Sequence, residues 1–491
     1  MPTGAMTAAP ATAHGHGTLA VVSVAQFLIA LDYSIIYIAL PSIAADLGLD
    51  PALAQWVVSA YGVLFAGFLV LGGRLADRLG ARRLFVLAVT AFGLAGVAGG
   101  AAGDGALLLA ARAGQGLGAA LLQPAVLALI GTTFPAGPER GRALAVWGSV
   151  GASGLAAGAV LGGLLTTASW RLTFFVNAPV VLLCVLGAVL WAAPARDHAP
   201  GGRVPVTAAA LGTGAVLTLV LGLTLAADHG WGSPATLGAL ALALALLTGF
   251  IRNERATHDG PAERTPDEHT SRDVPDGRTP RGVLIEPVLR RIPSLRIGAA
   301  ATALYMASVG SEFYLLTLLL QTAEGHTPLQ AGLAFLPLAL MVTAGNTAAG
   351  RAVRRARPAA VLLCGFAAAA AGLLWIALSL HGGSYAADLL PGILLSGFGH
   401  GVIYSAMFIL GTRDVPAAHQ GTAGALLTTS QYLAGALTLA VLTLVLGPSP
   451  GHAEFRAAFL VTATAAGAGL LLAVTRPSSP EVAEGDTVRT G

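Results

Sequence analysis

Fourteen stretches of about twenty mostly apolar residues run through this chain, at roughly 18–40, 53–72, 83–103, 105–132, 142–167, 171–193, 206–227, 234–251, 297–321, 328–350, 358–380, 386–411, 421–446 and 454–475. A run of that length crosses the hydrocarbon core of a bilayer as one α-helix. Only helices and closed barrels can satisfy the backbone there, so the sequence predicts an all-α polytopic membrane protein. Only 10% of the 491 residues are charged, against about 25% in soluble domains. The eighth run is short, and twelve helices with one re-entrant hairpin is the alternative.

Arginine placement bears on the count. All 27 basic residues are Arg, with no Lys. If the N-terminus faces the cytoplasm, 24 of the 27 fall in cytoplasmic segments. Positive charge collects on that side, and one miscounted helix would invert the pattern downstream. It holds to the end of the chain, which supports an even number of spans and cytoplasmic N- and C-termini. The net charge of +3 is then topological, and nucleic acid is not an expected partner. The first run has no basic flank or cleavage site, so it reads as a retained helix. Cys184 and Cys364 lie in apolar runs and read as packing residues without a disulfide.

These signals divide the chain into a disordered N-terminus (1–17), a six-helix bundle (18–193), an inserted helix pair (206–251), a cytoplasmic linker (252–295), a second six-helix bundle (296–475) and a disordered tail (476–491). The inserted pair has cores of Ala, Leu, Gly, Val and Thr and is expected to be peripheral. The linker is rich in Pro, Arg, Asp and Glu, a composition that stays disordered. Its end, residues 283–292, has the pattern of a short amphipathic segment on the membrane surface.

Ionisable groups inside apolar runs are expensive and mark function. Asp32, Arg112 and Glu312 stand out, each on the order of 10–14 Å below the outer face at 1.5 Å per residue. Asp32 and Arg112 can pair if their helices line one cavity, and the pair should stay ionised. An isolated carboxylate in apolar surroundings has a raised pKa, which makes Glu312 the candidate for a reversible proton. Arg112, Gln115 and Gly116 share one helix face. Tyr33, Tyr37, Gln123 and Tyr314 are further candidates for lining the cavity, with Gln26, Asn346, Tyr404 and Gln431. Gly151, Gly154, Gly158 and Gly162 form one stripe, suited to close helix packing. Gly73-Arg-Leu-Ala-Asp-Arg-Leu-Gly-Ala-Arg-Arg83 packs four arginines and an aspartate into eleven residues. It reads as a tight loop between the second and third helices.

That loop, G-x-L-A-D-R-x-G-x-R-R, resembles the loop between helices 2 and 3 of the major facilitator superfamily. Its eroded echo, 350–358, fits a duplicated six-helix plan. Arg112-Ala-Gly-Gln115-Gly116 is similar to the helix 4 motif of the family's drug exporters, whose arginine is linked to proton coupling. Gly154 to Gly163 resembles their antiporter motif, keeping Gly158, Gly162 and Gly163 but with Ala159 where the family has Pro. Ser169-Trp-Arg-Leu-Thr-Phe-Phe-Val-Asn177-Ala-Pro179 and Leu31-Asp32 through Pro41 resemble the fourteen-helix drug:proton antiporter branch, as do 328–337 and 421–431.

The resemblance implies the major facilitator fold, two six-helix bundles plus two inserted helices, in a bacterial cytoplasmic membrane. It implies a monomeric exporter of a lipophilic drug or antibiotic, driven by protons through Asp32, Glu312 or both, with no cofactor. Gly73, Asp77, Arg78, Gly80 and Arg82 would then hold the inner gate. An exporter of an ordinary amino acid or sugar, and a non-transporting receptor acting through 252–295, are the alternatives. H-E-x-x-H, G-x-S-x-G and G-x-x-x-x-G-K do not occur, so an enzyme or a metal site is not expected.

Overall fold

The computed structural model describes residues 11–49, 51–135, 137–192, 206–259, 286–380, 384–447 and 450–474. Its long helices are α1 (Ala11–Leu47), α2 (Pro51–Leu79), α3 (Ala81–Gly100), α4 (Gly105–Thr133) and α5 (Pro138–Ala168). A sixth span is broken into α6 (Leu172–Phe175) and α7 (Asn177–Trp191), followed by α8 (Val206–His229) and α9 (Pro234–Asp259). The short α10 (Pro287–Arg290) leads into α11 (Pro293–Leu318). A tenth span is broken into α12 (Pro328–Ala334) and α13 (Leu336–Ala352), and α14 (Pro358–Ser379), α15 (Leu390–Thr412), α16 (Gln420–Leu446) and α17 (His452–Val474) complete the set. Among the described residues, 13 helical stretches are long and apolar enough to cross a membrane. The remaining long helix, α11, is diluted by Ser308, Ser311 and Glu312. With it the count is fourteen.

Local chemistry sets several boundaries. Asp104 caps α4 by accepting from the Leu107 amide at 2.8 Å. Thr327 and Gln330 form a reciprocal capping box at the start of α12, which satisfies two otherwise orphaned amides. Gly80 separates α2 from α3 with φ of 87°, a conformation that favours glycine.

The expected loop at 73–83 is therefore mostly helix: α2 continues through Leu79, and Gly80 alone makes the break. Residues 11–17, expected to be disordered, are the first turns of α1. The eighth span, α9, runs to Asp259 rather than ending at 251. Residues 1–10, 260–285 and 475–491 lie outside the described set, and with them most of the expected linker and tail.

Within a membrane, apolar burial gives no drive for helices to associate, so close packing and polar contacts hold them together. The first half packs α1 on α5 and α7, and α2 and α3 on α4. The second packs α14 on α15 and α17, α13 on α15, and α11 on α15 and α16. The halves meet through α2 against α16 and α5 against α13, with α4 against α16 and α5 against α15. The inserted pair is only half peripheral. Helix α9 packs on α8 and leaves most of its surface outside, whereas α8 lies against both α2 and α16. A Cβ at Gly67 of α2 would lie 2.3 Å from the Leu217 side chain of α8. Helix α8 therefore covers the seam between the halves on this side.

Candidate transport site and gate

Asp32 sits in α1 and is fully buried. One carboxylate oxygen accepts from Gln115 Nε2 at 2.8 Å and Asn177 Nδ2 at 2.7 Å. The other accepts from the Arg112 guanidinium at 2.8 Å. Arg112 is buried as well. It donates to the Gln115 side-chain oxygen at 2.9 Å and to the Val57 carbonyl at 3.0 Å, and its guanidinium lies 4.6 Å above the Tyr61 ring. The i, i+3 spacing of Arg112 and Gln115 lets both reach one carboxylate. Four helices, α1, α2, α4 and α7, are tied at this point.

The second half holds another buried cluster. Glu312 of α11 accepts from the Ser396 hydroxyl of α15 at 2.6 Å. Its second oxygen lies 3.2 Å from His400 Nδ1. Glu312 and His400 are both fully buried. Glu312 is thus not the isolated carboxylate expected from the sequence. His400 is an ionisable group inside a predicted span, and the rule that singled out Asp32 applies to it equally.

The glycine stripe on α5 is the surface on which α1 rests. A Cβ at Gly154 would meet the Phe27 carbonyl at 2.7 Å, and one at Gly162 would meet Ile35 and Ile38 at 3.1 Å. At Gly158 it would fall 1.9 Å from the Ser34 hydroxyl and 2.7 Å from the Leu31 carbonyl. Gly163 is half-buried beside the stripe. Gly158→Ala should therefore destabilise the protein by about 1–3 kcal/mol, the cost of overpacking. Gly62→Ala, where a Cβ meets nothing within 4 Å, should leave thermal unfolding in detergent unchanged. Equal melting of the two variants would contradict this packing.

Aromatic and amide side chains line the region between the halves. Tyr37 is 49% exposed, and its hydroxyl lies 3.2 Å from that of Tyr33. Phe65 stacks on Tyr61 and meets Tyr432 of α16 edge-on at 4.6 Å. Trp147 of α5 lies 5.5 Å from Tyr404 of α15, which lies 5.6 Å from Tyr305 of α11. Asn346 accepts from Ser405 at 2.9 Å. The Asn346 amide nitrogen, the Trp147 indole nitrogen and the side-chain oxygens of Gln26 and Gln123 are buried without a hydrogen-bond partner. Asp32, Arg112, Gln115, Gln123 and Glu312 are all buried. Tyr314 is half-buried on α11, and Gln431 donates to the Met306 sulfur at 3.8 Å.

At the arginine-rich end, Asp77 reaches across from α2 to the start of α16. Its carboxylate accepts from the amides of Gly421 and Thr422 at 2.9 Å each and from the Thr422 hydroxyl. A carboxylate at a helix N-terminus answers both the unpaired amides and the positive end of the dipole. Gly73 makes this approach possible, since a Cβ there would lie 2.6 Å from the Ala425 Cβ and 2.8 Å from the Gly421 carbonyl. Arg74 pairs with Glu286, a buried residue just before α10, whose other oxygen lies 3.1 Å from His419. Arg290 of α10 pairs with Glu254 of α9. The described part of residues 283–292 is therefore held by the gate and by α9. Arg82 stays within its own half and donates to the Val189 carbonyl at 2.9 Å. Arg78 is partly buried beside Arg74. Of the residues of this stretch, Gly73 and Asp77 meet the second half in the contacts above, and the unforeseen Arg74 ties α2 to Glu286 just before α10.

At the opposite end, Asp46 accepts from the Trp170 indole at 2.9 Å and from Arg171 at 2.8 Å. These bonds, Trp170 first, hold its carboxyl below the usual carboxylate range. Asn177, seven residues on, is the ligand of Asp32 described above. The Trp-Arg motif thus anchors α1 at its end and at its buried charge.

Two packed sets of membrane helices, a buried charge cluster in each and a polar closure between them at one end define a polytopic membrane transporter. The family model of the Major Facilitator Superfamily matches residues 22–210 and again 206–439. The chain belongs to that superfamily. It is 37% identical over 434 residues to the puromycin resistance protein of Streptomyces alboniger, covering 87% of this chain and 81% of that protein. It is 36% identical over 428 residues to the cephamycin export protein of Amycolatopsis lactamdurans, covering 86% and 83%. The crystal structure of the human organic anion transporter MFSD10 shares the fold, with a TM-score of 0.65 at 17% identity over 94% of this chain and 99% of that one.

Proposed function

We propose that this protein exports a hydrophobic or amphipathic antibiotic across a bacterial cytoplasmic membrane in exchange for protons. The likeness over most of its length to proteins named for antibiotic resistance and export carries this reading. The arginine-rich end faces the cytoplasm, where positive charge collects. Asp77 and Arg74 close that end while substrate leaves on the other side. The aromatic faces of Tyr33, Tyr37 and Tyr432 suit a lipophilic cargo. The free side-chain oxygens of Gln26 and Gln123 and the free amide nitrogen of Asn346 supply its few polar contacts, as small-molecule sites require. Protons bound at the buried carboxylates of Asp32 or Glu312 favour one conformation over the other, and such differential binding is what coupling needs. The protein works as a monomer without a cofactor.

The test is a susceptibility panel, comparing a host that expresses the protein with one that expresses Asp77→Asn. Expression should raise resistance to at least one hydrophobic antibiotic several-fold and lower its accumulation in the cell. Unchanged resistance across the panel, together with excretion of an amino acid or sugar, would replace this reading with export of a metabolite.

A further inference from the structure

We infer that Glu312 and His400 act as one proton-holding unit, distinct from the Asp32 cluster. The two clusters differ in their hydrogens. Every partner of the Asp32 carboxylate is an obligate donor: a guanidinium and two amide NH2 groups. Together they take up three of its roughly four lone-pair sites.

The second cluster is arranged in the opposite sense. Ser308 donates its single hydroxyl proton to the Tyr305 carbonyl at 2.8 Å. Its contact with His400 Nε2 at 3.1 Å therefore needs the hydrogen on Nε2. In neutral imidazole only one nitrogen carries hydrogen, so Nδ1 then presents a lone pair. It faces Glu312 Oε2 at 3.2 Å without hydrogen-bond geometry, and neither atom has a hydrogen-bond partner. Two bare acceptors so close repel each other, and one proton between them removes the conflict. It resides on Oε2 as a carboxylic acid or on Nδ1 as an imidazolium beside a carboxylate. Both forms are neutral overall and count as one shared titration. Tyr305 also borders the pair, its ring edge-on to His400 at 5.9 Å.

Loss of the proton leaves a carboxylate against a lone pair, between α11 and α15. The pair then separates, or the imidazole hydrogen moves to Nδ1 and the Ser308 hydroxyl leaves the Tyr305 carbonyl. Either change disturbs α11, which packs on α16, the helix whose first residues Asp77 holds. The proton is linked in this way to the gate. This role in transport rests on the exporter reading, but the titration does not.

The test is pH-difference infrared spectroscopy on the full chain in lipid nanodiscs, with and without 15N-labelled histidine. No transported compound is needed. The wild type should show one step in which carboxyl and imidazole bands change together. Glu312→Gln should remove the carboxyl change, and Asp32→Asn should leave the step in place. His400→Leu should remove the imidazole change and shift the carboxyl midpoint, because the proton then has Glu312 alone to hold it. Loss of the step in Asp32→Asn, or an unmoved midpoint in His400→Leu, would overturn the inference. A confirmed step in a protein that transports no antibiotic would overturn only the exporter reading.

Discussion

Arg112→Ala is expected to abolish export and to destabilise the protein by about 3–5 kcal/mol, the usual cost of stranding one member of a buried ion pair. Asp32 and Arg112 are both buried. Without the guanidinium, the carboxylate keeps only the amides of Gln115 and Asn177. Arg112→Lys should recover little, because one ammonium cannot hold Asp32, the Gln115 oxygen and the Val57 carbonyl in the same fork. The double variant Asp32→Asn with Arg112→Gln removes both charges together. It should regain most of the stability and none of the transport. Thermal unfolding in detergent, paired with drug accumulation in cells, separates the two effects. A stable, inactive Arg112→Ala would contradict the structural part of this account.

Asp77→Asn is expected to open the arginine-rich end. An amide cannot offer two acceptor oxygens to Gly421, Thr422 and the Thr422 hydroxyl, and its NH2 would face donors. Hydrogen bonds to a charged group contribute about 1.5–3 kcal/mol each. Even a net loss of about 2 kcal/mol would shift the ratio of closed to open states about 30-fold. Turnover should fall while affinity for the transported drug changes little, since Asp77 lies far along α2 from Tyr61 and the aromatic region. Distances between spin labels on α2 and α16 at this end would show the shift directly. Unaltered distances with weakened drug binding would place Asp77 in the binding site instead of the gate.

The spans were legible in the sequence because bilayer thickness dictates their length, and α11 could be found despite Glu312 because its other residues are mostly apolar. The charged stretch after residue 73 was misjudged as a loop. Its arginines suggested water on all sides, yet seven of its residues continue α2, where Gly73 and Asp77 meet another helix. No local pattern announces that partner, which comes more than three hundred residues later. Likewise Arg74 finds Glu286 and Asp32 finds Asn177 only when the chain is folded. His400 is different. An ionisable residue among apolar neighbours was visible in the sequence, and its pairing with Glu312 also explains why that carboxylate is not isolated. The peripheral reading of the inserted helices failed for α8 because a smooth apolar helix fits a protein seam as readily as lipid.

Uptake into inverted membrane vesicles tests the central claim most directly. With the interior acidified, vesicles carrying the wild-type protein should accumulate an antibiotic from the susceptibility panel, and a protonophore should collapse that accumulation. Glu312→Gln vesicles, with equal protein in the membrane, should show no gradient-driven accumulation. Accumulation that survives the protonophore, or that Glu312→Gln performs as well as the wild type, would contradict proton-driven export by this chain.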